Sequence, residues 1–262
     1  MNIATFPAGF NENSFIKAIS IRPKRILASN SKLRKDGIQN ISFPAFKALV
    51  HIDGKLQEFH TCEQAKDCVS YCYARQGSYL FGNSRIKHTR NLQFLLSDPY
   101  GFKDQLVNEI KTKAKHTKNF RGVRINDSGD LHPALFNVMR QVMIECPEVS
   151  FYCYTKSVKL IKDMKEAGLI PSNFTYVFSY GGHQDHLIDK SKDRHAIAFT
   201  SRSILRANGY TEAYNSDVPA WNRKNMRVGL IAHGNHKAMN KIKKLIGKVM
   251  DKSIAKTMTQ VA

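Results

Sequence analysis

The sequence predicts an α/β fold in which helices cover a parallel sheet, as in a (β/α) TIM-like barrel, complete or incomplete. Two observations support this prediction. From about residue 120 onward, short apolar runs that suit strands alternate with segments of helical periodicity. The chain of 262 residues is also long enough to enclose one large core of this kind. Strands that alternate with helices pair in parallel, because each connection crosses back over the sheet.

The elements follow one another regularly in the second part of the chain. A helix with apolar residues at helical spacing comes first and leads into the first strand of the series. Strands and helices then alternate as far as a lysine-rich helix near the end. The predicted helices cover 101–116, 133–145 and 157–168, and the predicted strands cover 121–126, 149–154, 174–180, 196–201 and 226–232.

We expect a single domain over residues 1–262, because no internal repeat or low-complexity linker divides the chain. Residues 1–100 are expected to form a basic, cysteine-containing N-terminal elaboration that binds metal, and residues 101–262 the βα-repeating barrel portion. No stretch approaches the roughly 20 apolar residues of a membrane span, and the first residues lack a signal-peptide pattern. We therefore expect a cytoplasmic protein without a membrane partner.

The chain is strongly basic, with 41 lysines and arginines against 21 aspartates and glutamates and a net charge of +20. Such an excess of positive charge attracts polyanions, and nucleic acid is the natural candidate. A generic basic protein, or one that binds acidic membranes, is the alternative. The basic residues group in an N-terminal region and along a C-terminal helix, at Lys17, Arg22, Lys24, Arg25, Lys32, Arg34 and Lys35 and at Lys237, Lys241, Lys243, Lys244, Lys248 and Lys252.

Polar, ionisable and glycine residues recur directly after the predicted strands. Asp127-Ser128-Gly129-Asp130 follows the first strand of the series, and Gly181-Gly182 follows the third. Lys156 and His233 come after two other strands. Because ligands bind at the carboxyl ends of strands in such folds, we expect these residues to share one pocket. Each segment taken alone could also be an ordinary turn, and Asp130 could cap the helix that follows it.

Three of the five cysteines lie close together, in the pattern His60-x-Cys62-x5-Cys68-x3-Cys72. Thiolates at this spacing can converge on one soft metal, with His60 as a fourth ligand for tetrahedral zinc. The three cysteines alone could instead hold an iron–sulfur cluster with one open iron. Three unrelated thiols are the remaining interpretation. The odd number of cysteines argues against a disulfide framework.

The cysteine segment resembles that of a family of phage proteins. The likeness begins at Cys62, includes Cys72-Tyr73-Ala74 and continues through "RINDSGDL" and "FYCYTKS", so it covers roughly residues 60–160. The cysteine pattern of that family is itself similar to that of radical S-adenosylmethionine enzymes, whose motif is Cys-x3-Cys-x2-Cys. The spacing in this chain differs from that motif. The resemblance implies, as one alternative, an iron–sulfur, radical-type enzyme that acts on nucleic acid.

The chain also resembles the tRNA-guanine transglycosylases, as a distant and shortened relative. Their Asp-Ser-Gly-Gly motif is similar to residues 127–130, with Asp130 in place of the second glycine. Their nucleophile segment, Asp-x-Val-x-Pro-(Ser/Thr)-Arg, is similar to the stretch from Asp217 to Arg223, which keeps Asp217, Val218 and Pro219 but lacks the spacer residues before the valine and before the proline. A Gly-Gly segment lies between the two motifs in both. The C-terminal Cys-x-Cys-x2-Cys zinc site of those enzymes is absent here.

This second resemblance implies a (β/α) barrel enzyme that exchanges guanine in nucleic acid for a 7-deazaguanine derivative. The compact, basic chain is most similar to the phage branch that acts on DNA, which implies double-stranded DNA and a 7-deazaguanine as partners and the host cytoplasm as the location. Asp217 is implied as the nucleophile of a covalent aspartyl–nucleotide intermediate, and Asp127 as the group that transfers protons. The residues implied to line the base pocket are Ser128, Gly129, Asp130, Gly181 and Gly182.

A third function is compatible with the same observations. The charge and the cysteine pattern would also suit a non-catalytic, basic DNA-binding protein whose N-terminal module is stabilised by a structural metal ion. The leading hypothesis is the DNA-guanine transglycosylase, which needs no redox cofactor.

Overall fold

The computed structural model describes residues 11–232 and 236–249, with the backbone alone for residues 236–238. Within these ranges a curled, parallel half-barrel sheet of seven strands is flanked by helices. The predicted α/β class is therefore confirmed. A separate pair of antiparallel strands lies in the N-terminal part of the chain. In the described ranges no helix is long and apolar enough to cross a membrane.

The seven strands of the main sheet run in the same direction. Their order is β1-β4-β5-β6-β7-β9-β8, and each neighbouring pair is parallel. Parallel strands place all their carboxyl ends at one edge of the sheet, where ligands bind in such folds. The described strands are β1 (Ile38–Asn40), β2 (Lys47–Ile52), β3 (Lys55–His60), β4 (Gly122–Arg124), β5 (Ser150–Thr155), β6 (Phe174–Ser179), β7 (His195–Phe199), β8 (Thr211–Glu212) and β9 (Arg227–Ile231).

Helices fill most of the connections between these strands. Three of them, α4, α5 and α8, have proline in the first turn, where the missing N–H costs nothing, and the side chains of Asp98 and His132 cap α4 and α5. The predicted helices appear as α4, α5 and α6. The described helices are α1 (Glu12–Ile19), α2 (Ser31–Lys35), α3 (Gly82–Ser97), α4 (Pro99–His116), α5 (Pro133–Glu145), α6 (Val158–Glu166), α7 (Arg202–Ala207), α8 (Val218–Trp221) and α9 (His236–Val249).

The N-terminal hundred residues contribute a strand to the main sheet. β1 forms one edge of the sheet and pairs with β4, with Ile38 opposite Gly122. The chain then passes through the β2–β3 hairpin and the cysteine segment, residues 61–81, before α3 and α4 lead it back to β4. The cysteine segment therefore belongs to the connection that follows the carboxyl end of β1. This placement brings it to the edge where the polar segments after the other strands also lie.

The last described helix has the two faces that its sequence predicts. On α9, the apolar side chains at helical spacing are buried and the lysines between them are exposed. The helix packs against β7 and against residues 67–70 of the cysteine segment, and its basic face is exposed. Lys252 lies outside the described residues. The buried residues are Ile242, Leu245, Ile246 and Val249, and the exposed ones are Lys241, Lys243, Lys244 and Lys248.

Candidate active site

A cavity of about 440 Å³ lies among the carboxyl ends of the strands. Its wall combines the segments that follow β4 and β5, the cysteine segment and the residues that precede α8. His233, which the sequence also assigns to a strand end, lies outside the described residues. The predicted site residues on the wall are Cys62, Cys68, Cys72, Asp127, Ser128, Gly129, Asp130 and Asp217.

The two carboxylates predicted to be catalytic meet at one arginine, although they are far apart in the sequence. Nη1 of Arg124 lies 3.0 Å from Oδ1 of Asp127 and 2.8 Å from Oδ2 of Asp217. Arg124 is the last residue of β4, and both carboxylates are buried. The fold thus places a carboxylate–guanidinium–carboxylate group on the cavity wall.

Asp217 is held between cations and is ionised. Its Oδ1 lies 2.6 Å from Nζ of Lys32, and its Oδ2 accepts hydrogen bonds from Arg124 and, at 2.5 Å, from the hydroxyl of Tyr152. Burial alone would raise the pKa of Asp217, but the charges of Arg124 and Lys32 outweigh it and hold that pKa below its ordinary value. Asp217 precedes α8 and its backbone oxygen accepts the N–H groups of Ala220 and Trp221, but its side chain makes no capping bond to the helix.

Asp127 is fixed from several sides. Its Oδ2 accepts hydrogen bonds from Tyr79 at 2.9 Å and from Asn40 at 3.1 Å, while the Tyr73 hydroxyl bonds to its backbone oxygen. Its own N–H donates to the carbonyl oxygen of Ile41, just beyond β1, at 3.0 Å. The loop after β4 is therefore anchored on the chain that leaves β1, and both tyrosines come from the cysteine segment. Asp127 joins that segment to the sheet edge.

Asp130 has a structural role in addition to its place on the wall. Its carboxylate accepts the N–H of Leu131 at 2.7 Å and, across the loop after β5, the N–H of Lys156 at 3.0 Å. Burial is the largest influence on its pKa, which is raised despite the charge of Lys156 and these bonds. The side chain of His132 caps α5, so the alternative in which Asp130 caps this helix is wrong. Asp130 instead holds the loops after β4 and β5 together.

Several polar groups on the cavity wall have no hydrogen-bond partner among the described residues, among them the side chains of Asn126 and Ser128 and the hydroxyls of Tyr71 and Tyr154. Asn126, 4% exposed, leaves both atoms of its amide unpaired, and Ser128 leaves its hydroxyl unpaired. Asn126 also has a φ of 56°, in the left-handed region that few non-glycine residues adopt. Buried polar groups normally have partners, so unpaired ones that face a cavity mark a place for a ligand. Sequence reasoning missed Asn126, although its position at a strand end, directly before Asp127, carries the same signal.

The thiols of the cysteine segment share this cavity with the carboxylates. Lys156 lies close enough to all three thiols for its charge to act on them. Its ammonium group donates a hydrogen bond to the hydroxyl of Ser179 at 3.0 Å. Burial raises the pKa of Cys62 to about 12, and burial also raises that of Cys68 against the opposing charge of Lys156. As free groups these two thiols are protonated at neutral pH, and a bound metal would have to displace their protons.

His60 is not grouped with the thiols. Its Nε2 lies 2.8 Å from Oε1 of Glu58, its ring packs edge-on against Phe46, and it is absent from the cavity wall. The expected fourth ligand therefore points to a different environment from Cys62, Cys68 and Cys72. Among the described residues, no three His, Cys, Asp or Glu side chains form a group that could hold one metal ion as they stand.

Gly181 and Gly182 contact the cysteine segment and are not part of the described cavity wall. The carbonyl oxygen of Gly181 accepts the N–H groups of Lys66 and Cys68, each at 3.1 Å. A side chain on Gly181, whose φ is 103°, would lie 2.4 Å from the hydroxyl of Tyr71. The glycine pair thus permits close backbone packing, and its assignment to the base pocket stays a prediction that the described cavity wall does not include.

The chemical capacity of the site follows from these groups. It offers an ionised carboxylate, a second buried carboxylate, unpaired donors and acceptors, and three thiols on one cavity. Sequence reasoning did not identify Arg124 or Lys32 as site residues, because their role depends on partners distant in the sequence.

Comparisons with known proteins identify a family and no characterised relative. No curated protein and no solved structure matches the chain. A family model described as Gene product 88 matches residues 24–248, which include the cavity wall described above. A match over this much of the chain places the protein among phage proteins, in agreement with the resemblance of the cysteine segment. The chain belongs to the gene product 88 family.

Proposed function

We propose that this protein is an enzyme that replaces guanine in double-stranded DNA with a 7-deazaguanine derivative, without cutting the backbone. The observation that carries the proposal is the meeting of Asp127 and Asp217 at Arg124 on the wall of one cavity. A pair of carboxylates beside a sugar is the usual arrangement for chemistry at a glycosidic bond. We also propose that the half-barrel is a shortened (β/α) barrel, since its cavity lies at the carboxyl ends of the strands.

Asp217 is the nucleophile in this proposal. One carboxylate oxygen attacks the anomeric carbon of the target nucleotide, the bond between that carbon and guanine breaks, and its electron pair leaves with guanine. A covalent aspartyl–nucleotide intermediate results. Because both carboxylate oxygens are paired in the free protein, attack requires one ion pair to open. Lys32, whose side chain is 29% exposed, is nearer to solvent than Arg124 and is the partner that a DNA phosphate can attract.

Asp127 transfers protons, and its neighbours hold the base. The leaving guanine takes up one proton, and the incoming deazaguanine gives up one as its nitrogen attacks the same carbon and releases Asp217. The unpaired amide of Asn126 and hydroxyl of Ser128 offer donors and acceptors to the polar edge of a purine. Gly129 and Asp130 complete this part of the wall. The exchange needs no oxidant or reductant, because every bond that breaks is replaced by one of the same kind.

The charge of the protein supports DNA as the substrate. A base reaches a cavity of this kind only after it leaves the helical stack, which costs a few kcal/mol. Contacts between lysines or arginines and phosphates offset that cost, and the chain carries a net charge of +20. α9, which carries four exposed lysines among its described residues, packs against the cysteine segment.

The proposal is tested by exchange of radiolabelled guanine, or a 7-deazaguanine, into duplex DNA. We expect wild-type protein to incorporate the label and Asp217→Asn to lose exchange by roughly 1,000-fold or more, as removal of a nucleophile does. Asp127→Asn should reduce exchange while allowing some intermediate to form. Asp163→Asn, an exposed carboxylate on α6 that pairs with Lys159, is the matched control and should exchange normally. Normal exchange by folded Asp217→Asn would overturn the nucleophile assignment.

Loss of Asp217 leaves two cations unbalanced, so the variant's melting temperature and DNA binding must be measured beside its activity. If this variant does not fold, the wild-type protein still decides the question. Incubation with DNA in the absence of a free base should trap a protein–DNA adduct, and peptide mapping should place it on Asp217. An adduct mapped to another residue would contradict the mechanism.

A second candidate function rests on the three thiols, which line the same cavity as the carboxylates. A structural zinc site is closed by four protein ligands, whereas three thiols on a cavity leave one position open to another ligand. Three cysteines suit an iron–sulfur cluster with one open iron, and Lys156 places a positive charge beside it. The alternative proposal is therefore an iron–sulfur enzyme acting on nucleic acid, with zinc at the same thiols as the other possible occupant.

Metal analysis of anaerobically purified protein separates these alternatives. A brown protein with iron and acid-labile sulfide, both lost in Cys68→Ala, would support the cluster. A colourless protein with one zinc, also lost in that variant, would contradict the cluster and support zinc at the thiols. Cys146→Ala, a buried cysteine outside the cavity wall, is the matched control and should keep the metal content of the wild type. A wild-type protein that binds DNA, holds a metal and exchanges no base would favour the non-catalytic alternative.

A further inference from the structure

Two large apolar side chains are exposed beside the candidate active site. Leu80 is 55% exposed and Phe81 is 66% exposed, and they are adjacent in the sequence. They end the cysteine segment, directly before α3. Single exposed apolar residues are common on protein surfaces, but a large adjacent pair next to a catalytic cavity calls for a binding partner.

The position of the pair is tied to the catalytic carboxylate. Tyr79, the residue before Leu80, lines the cavity and donates a hydrogen bond to Asp127 at 2.9 Å. Tyr73 also lines the cavity, bonds to the Asp127 backbone and packs edge-on against Tyr79 with ring centres 5.6 Å apart. The chain from Tyr73 to Phe81 therefore runs along the wall of the cavity, and its apolar end projects into solvent.

The charges around the pair favour a polyanion as the partner. The sequence from residue 73 to residue 97 contains no aspartate or glutamate, and it includes Arg75, Arg85 and Lys87. Arg85 and Lys87 are exposed on the first two turns of α3, and neither forms a salt bridge with a described residue. A protein partner would usually meet an apolar patch with further apolar surface, whereas an apolar pair flanked by cations matches the stacked bases and the phosphates of DNA.

We propose that Leu80 and Phe81 form a wedge that enters the base stack of duplex DNA beside the target nucleotide, while Arg85 and Lys87 contact the flanking phosphates. The wedge takes the space that the target base vacates, so the base stays in the cavity a few side chains away. Apolar wedges of this kind unstack base steps in other DNA-binding proteins. This inference rests on the proposed base exchange, because it supplies the step that brings the base out of the helix.

The test compares the double variant Leu80→Ala, Phe81→Ala with the wild type on duplex and single-stranded DNA. Both side chains are exposed, so the variant should fold. We expect the wild type to increase the fluorescence of 2-aminopurine placed beside the target guanine in a duplex, and the variant to lose most of that increase. Base exchange by the variant should fall at least 10-fold on duplex DNA, on the order of the unstacking cost, and should change less than 3-fold on single-stranded DNA. Tyr100→Ala, an equally exposed aromatic on α4 outside the cavity wall, should behave as the wild type on both.

The outcomes separate the wedge from the proposed function. Equal exchange by variant and wild type on both substrates would overturn the wedge and leave base exchange intact. If the wild type raises 2-aminopurine fluorescence and the double variant does not, yet the wild type exchanges no base, the result would support the wedge and overturn the exchange. A variant that alters self-association in sedimentation, with unchanged fluorescence, would show that the pair contacts a second copy of the chain and overturn the wedge.

Discussion

At the scale of single residues, the candidate site depends on the balance of a few buried charges. Asp217 faces Lys32 and Arg124, and Arg124 is shared with Asp127. These contacts keep Asp217 ionised. They also mean that removal of one charged side chain leaves a neighbouring buried charge without its partner. Breaking a buried ion pair from one side costs about 3–5 kcal/mol, because a charge is left without a partner. Function and local stability are therefore coupled at this group.

A residue-scale prediction concerns Gly181, which has a positive φ and lies against the cysteine segment. Gly181→Ala should lower the free energy of unfolding by about 2–3 kcal/mol, because the strained backbone and the contact with Tyr71 add together. Gly168→Ala is the matched control, since Gly168 has a φ of 67° and nothing within 4 Å of an added carbon. The control should lose only the backbone part, about 1 kcal/mol. Urea unfolding measures both, and equal losses would contradict the close packing.

How far a residue could be predicted depended on whether its signal was local. Asp127 and Asp217 were identified because strand ends and short motifs are local patterns. Lys32 and Arg124 were not, because an ion pair between distant segments leaves no pattern near either partner. The pair Gly181-Gly182 shows a different limit. A glycine required for close backbone packing looks the same in sequence as one that makes room for a ligand.

At the scale of elements, the cysteine segment and the loops after β1, β4 and β5 act as one unit. Tyr73 and Tyr79 join the segment to Asp127, and Asp130 joins the loop after β4 to Lys156. Helices such as α5 were predictable because their apolar spacing is long and regular. β1 was not, because three residues carry too little periodicity, and its place in the sheet comes from pairing with β4.

An element-scale prediction concerns His88, a half-buried residue of α3 whose ring packs against Tyr79. Burial lowers the pKa of His88 to about 4, so the folded protein binds fewer protons than the unfolded chain at mildly acidic pH. Stability should therefore fall as pH drops below about 6.5, by about 2 kcal/mol between about pH 7 and pH 5. His88→Phe should remove this part of the pH dependence in urea unfolding. Burial also lowers the pKa of His195, but this residue is present in both the wild type and His88→Phe, so its contribution cancels in the comparison. Equal dependence of stability on pH in the two proteins would contradict the prediction.

At the scale of the whole molecule, the sheet gathers segments from both halves of the chain around one cavity. The α/β class followed from the alternation of strands and helices, but the order of strands and the curvature of the half-barrel depend on pairing that composition does not encode. The net charge of +20 was readable directly and supports DNA as the partner in the proposed reaction. Which of the lysines and arginines contact phosphates depends on where the fold places them on the surface, so the sequence alone does not identify them.

The most direct test of the proposed function is the nucleoside composition of DNA from cells that express this protein together with a 7-deazaguanine pathway. The DNA is digested to nucleosides and analysed by mass spectrometry, with Asp217→Asn and Asp163→Asn expressed in parallel. We predict a 7-deazaguanine nucleoside with wild-type protein and with Asp163→Asn, matched by a loss of deoxyguanosine, and none with Asp217→Asn. DNA of unchanged composition in the presence of folded wild-type protein and free deazaguanine would contradict base exchange as the function of this site.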